Sequence, residues 1–195
     1  MALLRTATSS DLGPVIHAER VLLRTPQMSD YSAWAELRAA SRDFLMPWEP
    51  LWAADELSRA SFRRRVRHYL RDLREDMGYA LFVFCASTDA LVGGLTLCNV
   101  RRGMTQACTL GYWTGAPYAR QGYMTAAVSA VIPFVFDSLE LHRLEAACLP
   151  ANTASMRLLE RTGFTREGMA RRYLKINGVW QDHLLYALLE SDMRR

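Results

Sequence analysis

The chain has 195 residues, 50% of them hydrophobic and 23% charged, with four cysteines and a formal net charge of +4. That length suits one domain with a proper core, and the sequence carries no repeats and no low-complexity linker that would divide it. The mild basic excess favours acidic ligands or an acidic partner without demanding nucleic acid.

Cys85, Cys98, Cys108 and Cys148 stand far apart inside apolar runs, with no CxxC pair and no clustered histidines. This indicates neither a zinc site nor a disulfide framework and points to buried free thiols in a reducing cytosol. The N-terminus has no apolar run of signal-peptide length, and no stretch reaches membrane length. We expect a cytoplasmic protein with no bound metal.

Residues 1 to about 18 read as a loosely held lead-in. Glu19 to Pro26 alternates enough to be a first strand ended by proline. Ser29 or Asp30 can cap the helix that follows, which carries Tyr31, Trp34, Leu37 and Arg38 at helical spacing and fades near Ser41. Arg42 to Trp52 is rich in aromatics and proline. It suits either a plug over the core or a substrate wall with Glu49 as the one acid in an aromatic pocket.

From Asp55 to Glu75 a longer helix buries Phe62, Val66, Tyr69, Leu70 and Leu73. Its outer face holds a row of arginines, among them Arg63, Arg64, Arg67 and Arg71. The row reads as a solvated face partly offset by Asp72 and Glu75, or as a docking surface for RNA phosphates. Tyr79 to Ser87 and Ala90 to Val100 form a hairpin of inner strands, in which Gly93 and Gly94 allow a bulge or a close approach. A third antiparallel strand runs from Cys108 to Gly115.

Next comes Tyr118 to Ala127, YARQGYMTAA, which opens a helix with Met124, Val128, Val131, Ile132, Val135 and Leu139 on one face. Free amides at a helix start, Gly122 for close backbone approach and the charge of Arg120 would together cradle a diphosphate. The same stretch also suits an ordinary strand-to-helix loop with a solvated arginine. Pro133 should kink or shorten this helix. Leu141 to Pro150 is a further strand, parallel to the Cys108 strand if it enters beside it after a right-handed crossover. Asn152 caps the next helix, which ends at Gly163, and two closing strands meet at Asn177 and Gly178, a type I′ hairpin signal. The four histidines share no spacing, and no serine nucleophile elbow occurs.

This order of elements, with its basic glycine turn after the fourth strand, resembles the GNAT superfamily of acetyl-CoA-dependent N-acyltransferases. LGYWTG, RQGYMTAA, PANTASMRLLERTGF and the closing REGMARRYLKINGVWQDHLLYAL look like ribosomal-protein N-acetyltransferases of the RimJ/RimL type. FLMPWEP with NVRRG and ACTLGYW is most similar to the RimJ branch, which acetylates an N-terminal alanine of a small-subunit ribosomal protein. The resemblance implies an α+β fold: a mixed, mostly antiparallel sheet of about seven strands, with a parallel pair splayed at the CoA cleft, flanked by about four helices. It also implies one catalytic domain over the whole chain, as monomer or homodimer.

The family's diphosphate turn falls on Ala119, Arg120, Gln121, Gly122, Tyr123 and Met124, with Thr125 beside it. Gly122 keeps the family's glycine, whereas Ala119 and Met124 depart from its pattern. Tyr112, Trp113 and Thr114 match the strand that pairs with pantetheine, and Asn152 with Ser155 match the cofactor-contacting pair, which places Cys148 near the thioester. Phe44, Trp48, Glu49 and Asn99 are assigned to the acceptor side. In direct attack of an amine on the thioester, Glu49 would orient the amine and take its proton. Ser155 would protonate the leaving thiolate, with Tyr173 in reserve. Two alternatives share these residues: a small-molecule N-acetyltransferase of the same fold, and a ribosome- or RNA-associated factor using the arginine face.

Overall fold

A computed structural model describes residues 13–194. Most of the expected lead-in lies outside the described residues, but its last part is built into the sheet: β1 (Val15–His17) pairs antiparallel with β2 (Val21–Arg24). Val21 and Leu23 alternate inward on β2 and are fully buried, and the strand stops just before Thr25 and Pro26.

The first long helix, α1 (Tyr31–Ala40), follows a single 3-10 turn. Asp30 does not cap it as expected. Its carboxylate instead accepts the Gln27 amide at 2.7 Å and the Arg24 fork at 2.6 and 2.9 Å, which closes the turn ahead of the helix. A short α2 (Arg42–Leu45) comes next. The long helix α3 (Arg59–Arg74) starts later than expected, because Ser58 Oγ accepts the Ser61 amide at 3.0 Å and caps it there. Asp55 and Glu56, left outside the helix, turn back to pair with Arg64 and Arg65. Arg71 reaches Asp72 and His68, and among the described residues Arg59, Arg63, Arg67 and Arg74 of this helix have no ion pair.

Three antiparallel strands follow: β3 (Tyr79–Cys85), β4 (Leu91–Arg101) and β5 (Ala107–Thr114). Strand β3 is buried along almost its whole length because both sheet faces are covered. Phe82 and Phe84 meet Trp34, Leu37, Phe62 and Val66 from α1 and α3. Leu81 and Val83, on the other face, meet the core that includes Ala127, Val128, Val131 and Ile132 of α4 (Tyr123–Pro133). Pro133 ends the α-helical ladder as expected, and the chain continues in a wider turn in which Leu139 N–H reaches the Phe134 carbonyl at 2.9 Å.

The remaining elements are β6 (Arg143–Cys148), α5 (Thr153–Arg161), β7 (Thr165–Ile176) and β8 (Val179–Leu189). Among the described residues the strands form one eight-stranded sheet in the order β1-β2-β3-β4-β5-β6-β8-β7. It has one more strand than expected, β1, and the short α2 adds a fifth α-helix. Strands β5 and β6 form the parallel pair, and every other neighbouring pair is antiparallel.

That parallel pair is incomplete. Only Ala107 through Leu110 register against Arg143 through Ala146. Beyond Leu110, β5 continues against β4 alone as far as Thr114, while β6 continues against β8 as far as Cys148. The sheet therefore splits between β5 and β6. At the far edge, β7 pairs with β8 through two register shifts and is exposed along most of its length; its turn residues Asn177 and Gly178 both take positive φ, as a type I′ turn requires. No helix among the described residues is long and apolar enough to cross a membrane.

Candidate active site

The turn between β5 and α4 presents unpaired backbone donors. Among the described residues, the amides of Gln121, Gly122, Tyr123 and Met124 meet no backbone carbonyl, as expected for the first turn of a helix. Gly122 sits at the start of α4 with φ of 82° and Arg120 takes φ of 62°, so the turn curls through the left-handed region twice. Positive amide ends collect there, with the exposed Arg120 in the same turn, an arrangement that attracts an anion. Met124 contributes only its amide, because its side chain is buried in the core. Replacing Gly122 by Ala is expected to destabilise the protein by about 1.5 kcal/mol through the left-handed strain alone. A urea titration reads this directly.

The second part of the site lies where the sheet splits. Tyr112 and Trp113 are consecutive on β5 and so point to opposite faces. Tyr112 packs with the α4 core, and its hydroxyl is 2.7 Å from Ser155 Oγ at the start of α5. Asn152 fixes that serine, because its side-chain oxygen accepts the Ser155 amide at 3.0 Å and caps α5 as the sequence implied. Cys148, buried at the end of β6, lies on the same face of the sheet as Tyr112. Burial pushes both the Tyr112 phenol and the Cys148 thiol above their usual values, so both stay protonated. The Tyr112 and Ser155 hydroxyls thus tie β5 to the start of α5 on the face that also buries Cys148.

Trp113 faces the other way and lies flat over Gly94, where a Cβ would come within 2.5 Å of the indole nitrogen. The close approach read at Gly93 and Gly94 is therefore a seat for Trp113, and a register shift in β3 and β4 beside it supplies the bulge. Over Trp113 sits the Arg38 guanidinium, 5.0 Å from the ring centroid, with Trp52 at 4.3 Å on the same cation. Arg38 is 6% exposed and donates both terminal nitrogens to Glu49, at 2.6 and 2.7 Å. Trp52 Nε1 adds a third donor at 2.8 Å. Glu49 is thus held by three hydrogen bonds on the face opposite Ser155.

The other residues assigned from the sequence are placed unequally. Phe44 and Trp48 are exposed on the segment that carries Glu49. The tip of the β7–β8 hairpin reaches this segment, since Asn177 N–H donates to the Glu49 carbonyl at 2.8 Å. Tyr173 stands on the edge strand with its ring 5.9 Å from that of His183. Asn99 lies beyond Thr96 in the irregular end of β4, where β5 is still paired with β6, and is not brought to the split. All four cysteines are free, and Cys85, Cys108 and Cys148 are buried. Among the described residues no group of His, Cys, Asp and Glu could hold a metal ion.

Three contributors went unassigned in the sequence. Arg38 had a signal, because it falls in the buried register of α1 with Trp34 and Leu37, where a cation needs an acid partner. Trp52 closes the aromatic stretch but gave no sign that its indole would serve Glu49. Arg20, which donates to the Gln121 carbonyl at 2.9 Å, lies 101 residues away from it and left no local trace.

A family model described as an acetyltransferase (GNAT) domain matches residues 20–165. The chain is 35% identical over 178 residues to the probable N-acetyltransferase YjcK of Bacillus subtilis (strain 168), covering 91% of this chain and 98% of the relative. It is 32% identical over 176 residues to the ribosomal protein uS5 alanine N-acetyltransferase of Escherichia coli (strain K12), covering 89% and 90%. Mycobacterium smegmatis RimJ, solved in complex with CoA-disulfide, superposes with a TM-score of 0.86 at 31% identity over 94% of this chain and 89% of that one. The matched residues include the β5–β6 split, the Gly122 turn and the capped start of α5, and the chain belongs to the GNAT acetyltransferase family.

Proposed function

We propose that this enzyme transfers the acetyl group of acetyl-CoA to the α-amine of a protein N-terminus, with the N-terminal alanine of a small-subunit ribosomal protein as acceptor. The observation that carries this reading is the separation of the two polar clusters. Tyr112, Ser155 and Cys148 stand on one face of the split sheet, and Arg38, Glu49 and Trp52 on the other. A thioester laid along the open edge of β5 would meet an amine arriving from the opposite face. The RimJ and uS5-alanine relatives support a ribosomal acceptor. That acceptor places the reaction in the cytoplasm, and the whole chain acts as one catalytic domain.

The nitrogen forms its bond to the thioester carbonyl carbon, the carbon–sulfur bond breaks, and backbone N–H groups of the Tyr112 to Thr114 edge stabilise the developing oxyanion. The amine must be neutral to attack. An α-amine with a pKa of about 7.7 to 8.0 needs only about 1 kcal/mol for deprotonation at pH 7, whereas a lysine needs about 4.6 kcal/mol. An N-terminal acceptor therefore asks little of a base. Both Glu49 oxygens already accept hydrogen bonds, so its role is to orient the ammonium while the proton leaves through water. Ser155, supported by the Tyr112 hydroxyl, delivers a proton to the leaving thiolate, and the proton that the newly bonded nitrogen sheds to water restores the serine hydroxyl.

The test mixes the protein with acetyl-CoA and an alanine-starting peptide of the small-subunit ribosomal protein, following free thiol and peptide mass. One acetyl on the α-amine is the expected result. An unmodified peptide together with bound acetyl-CoA would move the acceptor to small amines.

A further inference from the structure

Arg20 is anchored before its side chain is considered. Its carbonyl accepts the Ala86 amide at 3.0 Å, and the turn that holds it is closed by Ala18 N–H on the Val21 carbonyl at 2.9 Å. From this fixed base the guanidinium crosses to the turn before α4. There it donates to the Gln121 carbonyl at 2.9 Å and lies 5.2 Å from the centre of the Tyr123 ring. Tyr123 is itself held, with its hydroxyl 3.5 Å from Cys85 Sγ. The hydroxyls of Ser87, Thr88 and Tyr123 draw that thiol below its ordinary range, and Ser87 Oγ lies 3.3 Å from the same sulfur. The platform under Arg20 is therefore built from three separate elements.

Two consequences follow from the peptide plane and from charge. Within the Gln121–Gly122 peptide the C=O and N–H point in opposite directions. By holding the Gln121 carbonyl, Arg20 turns the Gly122 N–H away from itself, on a residue whose left-handed φ would otherwise leave that plane free to rotate. The charge is also unspent: no acid pairs with Arg20 among the described residues. A Cβ on Gly122 would lie 2.9 Å from an Arg20 nitrogen, so the cation sits directly against the amide cradle.

We propose that Arg20 is a positioning residue for the donor's diphosphate, setting the direction of the Gly122 amide and adding a second cation to the turn beside Arg120. The inference rests on the acetyl-CoA reading above. It assigns a binding role to the β1–β2 turn, far in sequence from the glycine turn it serves.

The test compares CoA with pantetheine, which lacks the diphosphate, by titration calorimetry on the wild-type chain, Arg20→Met and Arg20→Lys. Arg20→Met is expected to weaken CoA binding about tenfold and leave pantetheine binding unchanged. Arg20→Lys, which keeps the charge but loses the fork over carbonyl and ring, should fall between the two. Equal CoA affinity in wild type and Arg20→Met would overturn the inference, as would an equal loss for both ligands. A wild-type chain that binds CoA no better than pantetheine would overturn the acetyl-CoA reading, and this inference with it.

Discussion

Replacing Glu49 by Gln should cost about 3 kcal/mol of stability and lower turnover, while leaving CoA affinity intact. The stability loss comes from Arg38, which is 6% exposed and would keep its charge without a counter-ion between two tryptophan rings. The turnover loss comes from the acceptor side, where the carboxylate held by three hydrogen bonds would lose its charge. The two effects can be separated. A double change, Arg38→Met with Glu49→Leu, removes both charges and should recover most of the stability, because a buried ion pair exchanged for apolar groups of similar volume is often neutral. Turnover should stay low in the double variant if Glu49 orients the amine. Urea midpoints and steady-state rates measured together decide it; recovered turnover would reduce Glu49 to a structural clamp.

Ser155→Ala should lower kcat by about 100-fold with little change in CoA affinity, and Tyr112→Phe by about tenfold. The serine is placed to donate, since Asn152 fixes its backbone and the Tyr112 hydroxyl lies 2.7 Å from its oxygen. Tyr112 stays protonated because burial raises its pKa, so it can support the serine without competing as an anion. If the serine protonates the leaving thiolate, an acetyl donor with a more acidic thiol should suffer less from Ser155→Ala, because that thiolate needs its proton less. An equal defect with both donors would assign Ser155 to binding rather than proton delivery.

Features that depend on local patterns were legible in the sequence. Asn177 and Gly178 permit few backbone shapes, Asn152 stands just before an apolar period, and a helix between two strand-like runs forces a parallel crossover. Gly122 at a helix start was readable for the same reason. Features that depend on a distant partner were not. Asp55 and Glu56 read as helix because nothing nearby revealed that they would fold back onto Arg64 and Arg65. Those pairs also neutralise part of an arginine row that looked available to RNA. Val15 to His17 is too short to alternate visibly, and it is a strand only because β2 offers it an edge. The irregular backbone around Asn99 was hidden for the same reason, since it arises where β4 pairs with β5. The bond between Arg20 and the Gln121 carbonyl is the extreme case, because only tertiary folding joins them.

The two ends of the sheet bear on how the chain behaves in the company of its own copies. A free strand edge is a template on which another chain can grow, and aggregation often begins there. At one end β1 offers only three residues. At the other, β7 is twelve residues long, but its register breaks twice, and Arg171, Arg172 and Lys175 all stand exposed along it. Broken register twists the edge away from a flat partner, and two identical edges would bring like charges together. The same irregular strand that carries its hairpin to the Glu49 segment thereby guards the sheet against self-templated growth.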